Sequence, residues 1–208
     1  MSRGTAKEKI FEESVRLFSE KGYAETSIRK IAAAAMVNEA TIYIYFKNKA
    51  DILDKILDAF ENKLARILMD KKRIDSHARA DDTRKLLGRL MWNDIIYSDV
   101  FMSRTFRIMC MEQFTNKKAG ALVGERLHSK AAENILYALH KLSELGEIPE
   151  FNLYLFSVLW AQTMFSAAVL ELQDESPEVS KPLRTLCENM MDIAVSGKIP
   201  REDKTALP

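Results

Sequence analysis

The chain has 208 residues, 47% apolar and 29% charged, with a formal net charge of +1. That length holds one or two compact domains of ordinary globular composition. Seven glycines and five prolines are few, and the wealth of Leu, Ala, Met, Glu and Lys points to an all-α chain. Residues 1–50 carry nine Lys and Arg against six Asp and Glu, and the remainder carries 22 against 24, so a mild positive excess sits at the N-terminal end. Cys110 and Cys187 match no metal or redox spacing, which suggests reduced, buried thiols in a cytoplasmic protein. The polar N-terminus lacks the apolar stretch of a secretory signal.

The first predicted helix runs from about Thr5 to Lys21. Thr5 and Glu8 have capping-box spacing, Ile10, Phe11, Ser14, Val15, Leu17 and Phe18 form one broad stripe, and Gly22 supplies a stop. Phe18 and Tyr23 read as core aromatics.

Residues 26–45 form the centre of the sequence. Ile28, Ile31, Ala32 and Ala35 recur at helical spacing, so this stretch is a short amphipathic helix that must rest on its neighbours. Met36 and Val37 interrupt it, and Asn38 is placed to cap a second helix ending near Tyr45. Two short helices at a tight turn make a helix-turn-helix. Ile42 and Phe46 point to the core, which leaves Glu39, Ala40, Thr41, Tyr43 and Tyr45 over the other faces. Hydroxyls there suit phosphate oxygens, and Ala or the Thr methyl suits a thymine methyl.

Ile10, Leu17-Phe18, Gly22-Tyr23, Thr26-Ser27, Ile31-Ala32, Val37, Ala40-Thr41-Ile42-Tyr43, Tyr45-Phe46, Lys49 and Leu53 stand at the spacing of one family. The stretch from Ile10 to about Leu57 resembles the TetR-type transcriptional regulators. That family often carries glycine or proline in place of Ala40 and glycine in place of Met36, differences that bear on base preference and turn shape. The resemblance implies an N-terminal DNA-binding domain over residues 1–60 and a helical ligand-binding and dimerisation domain over 61–208. Thr26, Ser27, Arg29, Asn38, Glu39, Ala40, Thr41, Tyr43, Tyr45 and Lys49 are the DNA-binding candidates. Arg29 can fork onto a guanine or hold a phosphate.

Asn48 is read as the cap of a further helix with Asp51 in its first turn. Lys49 is either a solvated lysine or, with the N–H groups of that turn, a phosphate clamp, and the resemblance places a phosphate contact there. The long helix continues through Leu53, Ile56, Leu57, Phe60, Leu64 and Ile67. Its polar sequel, Asp70 to Ala80, is taken as the domain boundary.

Residues 81–208 suggest four or five helices, with breaks at Ser98-Asp99, Asn116–Lys118, Gly146–Pro149 and Asp174–Pro177. Met and aromatic residues are concentrated between Met91 and Phe114. They make either a core or the lining of an apolar cavity. Trp92, Tyr97, Phe106, Met109, Phe114 and Trp160 are the pocket candidates. Residues 151–170 carry no charge, and that length matches a membrane span. Asn152, Ser157, Gln162, Thr163 and Ser166 within the run, and its acidic flanks, argue instead for a buried helix. Such a helix needs cover on every side, and a second subunit can supply it. The last helix runs from a Ser176-Pro177 cap to a Gly197 stop. In the family, these last two helices form a four-helix bundle with their symmetry mates.

No phosphate-cradling glycine loop, nucleophile elbow or paired-histidine zinc helix is present, and His77, His128 and His140 are isolated from one another. No enzymatic activity, metal or cofactor is expected. The sequence therefore describes a cytoplasmic, all-α homodimer without a membrane anchor. The resemblance further implies a repressor that binds a near-palindromic double-stranded DNA operator and is released by a small apolar or amphipathic inducer.

Overall fold

The computed structural model describes residues 5–80, 82–91, 96, 98–173 and 177–197, and within these every regular element is a helix. In chain order they are α1 (Ala6–Lys21), α2 (Ile28–Ala35), α3 (Glu39–Tyr45), α4 (Lys49–Ile67), α5 (Lys71–Ala80), α6 (Thr83–Arg89), α7 (Val100–Glu112), α8 (Lys117–Ala121), α9 (Ala131–Glu144), α10 (Leu153–Gln173) and α11 (Pro177–Ser196). Between α8 and α9 the helix continues unbroken through Leu122–Lys130 in the wider π form, in which each N–H reaches the carbonyl five residues back. The chain divides into two compact units, one of residues 1–64 and 97–123, the other of 65–96 and 124–208.

In the first unit, α1 starts on the predicted capping box: the Thr5 N–H donates to Glu8 Oε2 at 2.7 Å and the Glu8 N–H to Thr5 Oγ1 at 3.3 Å. A cap of this kind contributes about 1 kcal/mol. At the other end Gly22, at φ 84°, returns its N–H to the Phe18 carbonyl. Ile10, Phe18, Ile31, Ile42, Phe46, Ile56 and Phe60 are fully buried and form a common core. Phe18 meets Tyr23 edge-on with ring centroids 5.3 Å apart.

Residues 97–123 belong to this unit, although the sequence reading placed everything after residue 60 in a second domain. Three contacts account for the correction. Phe101 stacks on Phe11 of α1 at 6.0 Å. Asp99 caps α7 through the Met102 N–H and pairs with Lys63, and the Lys63 ammonium, together with that N–H, holds the Asp99 carboxyl below the usual carboxylate range. The Lys118 ammonium donates to Asp58 Oδ1 at 2.5 Å. Cys110 lies on α7, and burial pushes its thiol up to about 12, which leaves it protonated and unreactive.

In the second unit, Asp70 to Ala80 is no linker. Asp70 accepts the Arg73 N–H at 2.8 Å and starts α5, whose Ile74 is buried. Asn134 of α9 donates to the Met69 carbonyl at 2.7 Å in the interior, and Tyr137 donates to Asp75 at 2.9 Å. Helix α10 packs between α9 and α11. Trp160, Met164, Ala167 and Ala168 form its buried side, while Tyr154, Leu155, Val158 and Leu159 remain exposed. By length and composition Leu153–Leu172 could cross a bilayer, with a mean hydropathy of 1.6. Its buried residues seat one side of it on the rest of this unit, and about two thirds of the apolar stretch is not buried there. Gly197 ends α11 at φ 66°, and a Cβ there would lie 2.6 Å from Pro149 Cγ, so the position admits only glycine. Ser176, the other half of the predicted cap, lies outside the described residues, as do the other residues between Gln173 and Pro177.

Candidate nucleic-acid interface

Ser27 opens α2 by accepting the Lys30 N–H at 3.2 Å, and Arg29 and Lys30 are exposed on its first turn. The preceding Thr26 is a correction to the DNA-contact set. Its side chain is fully buried, and its hydroxyl donates to the Gly22 carbonyl at 2.9 Å. It fixes the connection between α1 and α2 and has no face to offer a ligand.

The turn into α3 carries Met36 in the left-handed region at φ 55°, the one non-glycine residue at positive φ among those described. Its N–H and that of Val37 close α2 on the Ala33 and Ala32 carbonyls. Asn38 then caps α3, as the sequence suggested: its Oδ1 accepts both the Thr41 N–H and the Thr41 hydroxyl, each at 2.8 Å. The hydroxyl proton of Thr41 is thereby engaged, leaving oxygen lone pairs and a methyl to face outward.

Seven residues make α3, and Ile42 is the only one of them buried. Phe46, just past its end, is buried too. Glu39, Ala40, Tyr43 and Tyr45 are exposed and Thr41 is half-buried, so the predicted outward set is outward. Ile44, which the sequence reading assigned to neither core nor contact, is 74% exposed. The signal was present: with Ile42 inward at 100° per residue, position 44 must point away.

At the start of α4, Asn48 accepts the Asp51 N–H at 2.9 Å and Asp51 accepts the Lys47 N–H at 2.9 Å. That N–H, followed by the Lys55 ammonium, holds the Asp51 carboxyl below its ordinary value. Lys49 is half-buried, donating to the Tyr23 carbonyl at 2.8 Å with its ammonium 4.2 Å from the Tyr23 ring centroid. Burial raises the Tyr23 phenol above its usual value, and Glu112 and Asp54 add to the shift. An ammonium has three protons, so Lys49 retains donors for a phosphate while tied to Tyr23.

The pocket candidates do not converge. Phe106 and Met109 are fully buried within the first unit and Phe114 is 90% exposed, because α7 spends its apolar side on α1. Trp92 and Tyr97 lie outside the described residues. Trp160 is buried in the second unit, 5.8 Å from the Phe156 ring, and among the described residues its indole N–H meets no acceptor. On the other side of α10 lies a groove of about 380 Å³, lined among others by His128, Leu136, Tyr154 and Gln162. No cluster of three or more His, Cys, Asp or Glu suited to a metal occurs among the described residues.

Residues 10–56, from α1 to the middle of α4, match the sequence profile of bacterial regulatory proteins of the tetR family. The first three helices and the first part of the fourth thus carry the sequence pattern of the tetR family. A helix-turn-helix transcriptional regulator of Haemophilus influenzae is 27% identical over 175 residues, covering 83% of this chain and 88% of the relative. YttP of Bacillus subtilis, a probable regulator of the same type, is 32% identical over 93 residues. That match spans 45% of this chain and less than half, 44%, of YttP. The solved structure of a Saccharomonospora viridis transcriptional regulator in complex with choline superposes with a TM-score of 0.66 at 18% identity, covering 90% of this chain and 95% of the other. The chain is thus similar to helix-turn-helix transcriptional regulators in sequence, over its N-terminal helices above all, and in fold over nearly its whole length.

Proposed function

We propose that the protein is a cytoplasmic homodimeric repressor that holds a near-palindromic double-stranded DNA operator and releases it on binding a small apolar or amphipathic inducer. The observation that carries the reading is α3: a helix capped by Asn38, anchored by Ile42 and Phe46, with every other side chain at least partly free. A seven-residue helix has little stability of its own. It persists because its buried residues hold it, and its remaining surface is available to a groove. Ser27, Arg29, Asn38, Glu39, Ala40, Thr41, Tyr43, Tyr45 and Lys49 remain the contact set, with Tyr43 and Lys49 assigned to phosphates and Thr26 removed.

The dimer is assigned to α10 and α11, whose exposed Leu155, Val158, Leu159 and Leu186 would otherwise face water. A two-fold pair of α3 helices calls for half-sites about 34–36 Å apart or somewhat more. The inducer is assigned to the second unit, where the unpaired Trp160 N–H would be completed by an acceptor on the ligand. The choline held by the Saccharomonospora viridis regulator is a precedent for a small ligand on this fold.

Selection from a pool of randomised duplexes, followed by titration of hydrophobic compounds with and without the selected duplex, tests the whole reading. A near-palindrome should emerge, and a true inducer must bind more weakly in its presence by the same factor by which it weakens DNA. Recovery of no preferred duplex would remove the repressor assignment.

A further inference from the structure

Around α3 the residues diametrically opposite the buried Ile42 are Ala40 and Ile44, each within about 20° of that direction at 3.6 residues per turn. They are four apart and therefore form one ridge. Both are exposed, Ile44 at 74% and so among the most exposed large apolar side chains described. Hydroxyl-bearing residues flank this ridge on its two sides, Tyr43 on one and Thr41 on the other. The outermost line of the recognition helix therefore carries neither a hydrogen-bond donor nor an acceptor in its side chains.

A helix lying in the major groove presents its outermost ridge to the base edges and its flanks to the walls. Among the four bases, only thymine offers an apolar group there, the C5 methyl. Exposure of an isoleucine on a helix without packing partners favours burial against that methyl by roughly fourfold in affinity per methylene-sized contact. The hydroxyls of Tyr43 and Thr41 lie where wall phosphates are.

We infer that the Ala40–Ile44 ridge reads C5 methyl groups, so that each half-site has a thymine under Ile44 and prefers thymine or 5-methylcytosine over uracil or cytosine at that place. The inference rests on the reading of α3 as the DNA-binding helix and adds which chemical group it recognises. Ala40 sets the distance of approach, since a larger side chain there would lift the ridge away. Ile44 supplies most of the apolar contact.

The test takes the duplex recovered by selection and replaces its thymines one at a time with deoxyuridine, which deletes the methyl and leaves every hydrogen bond in place. The full-length protein should lose about fourfold in affinity at one thymine per half-site and little elsewhere. The variant Ile44→Ala should fold normally, because the side chain is exposed, and should bind the thymine and uracil duplexes alike. A duplex with 5-methylcytosine, re-paired with guanine, should bind Ile44-containing protein more tightly than its unmethylated form. Equal binding of every uracil duplex by the unmodified protein, or the same uracil penalty in Ile44→Ala, overturns the inference while leaving the repressor assignment intact. Failure to recover any preferred duplex overturns both.

Discussion

Helices α3 and α10 both leave much of their surface uncovered in the protomer, and they do so with different chemistry. On α3 the exposed residues are two tyrosines, a glutamate, an alanine and one isoleucine on a helix of seven residues. On α10 they include Leu155, Val158 and Leu159 along a helix of 21. A short surface rich in hydroxyls suits a hydrated polyanion, whereas a long aliphatic one suits another protein face. Exposure alone thus does not define a binding face; the partner is set by what the exposed side chains can and cannot hydrogen-bond.

The largest expected effect separates the two sides of α10. Ala168 is fully buried within the protomer, so Ala168→Asp should cost about 3–5 kcal/mol through an unpaired buried charge, seen as loss of helical signal at lower denaturant. Leu159, 51% exposed, lies on the face assigned to the partner. Leu159→Asp should keep the helical signal and sediment as a monomer. A dimer that survives Leu159→Asp would move the interface off this face.

On the α3 side, Lys49→Ala should flatten the slope of log affinity against log salt by roughly one. The same change removes the Tyr23 tie and about 0.5–1 kcal/mol of stability. If stability falls and the salt slope does not change, Lys49 is a brace and not a phosphate ligand.

Met36→Gly should raise stability by about 1 kcal/mol, since glycine takes the left-handed conformation without strain and the Met side chain, 84% exposed, gives up no packing. A rightward shift of the urea midpoint at constant slope would register it. The smallest effect concerns His128, on the π segment, whose ring centroid is 4.1 Å from that of Phe165. Burial lowers its pKa below the ordinary histidine value, more than its hydrogen bond to Gln162 raises it. The unfolded chain therefore takes up the proton first as pH falls below about 6.5. Its contribution is complete above that value and is lost as pH drops through the lower folded pKa. Comparing His128→Asn with the unmodified protein at pH 7 and pH 5.5 should show a smaller acid loss in the variant.

What the sequence disclosed was local. Thr5 with Glu8, Asn38 and Asn48 are read correctly as caps because a cap needs only residues three apart. Ile42 and Phe46 follow from helical period in the same way. The breaks at Asp99 and Asn116 are caps as well. The burial of Thr26 depends on the path of the chain past Gly22, which no local pattern encodes, whereas the exposure of Ile44 follows from the same helical period. Phe106, Met109 and Phe114 were grouped by composition, while their separation into core and surface arises from α7 packing on α1, a pairing of residues some ninety apart that no local pattern encodes. The π widening at Leu122–Lys130 has no marker in the sequence that we can identify.

The discontinuity of the first unit bears on the order of events during synthesis. Phe11, Asp58 and Lys63 emerge from the ribosome early, but Phe101, Lys118 and Asp99, their partners, are made much later. Since domains fold as units as the chain emerges, the first unit cannot complete its packing until residue 123 is free. A nascent chain arrested at residue 60 would carry the whole helix-turn-helix yet lack the helix that supports it.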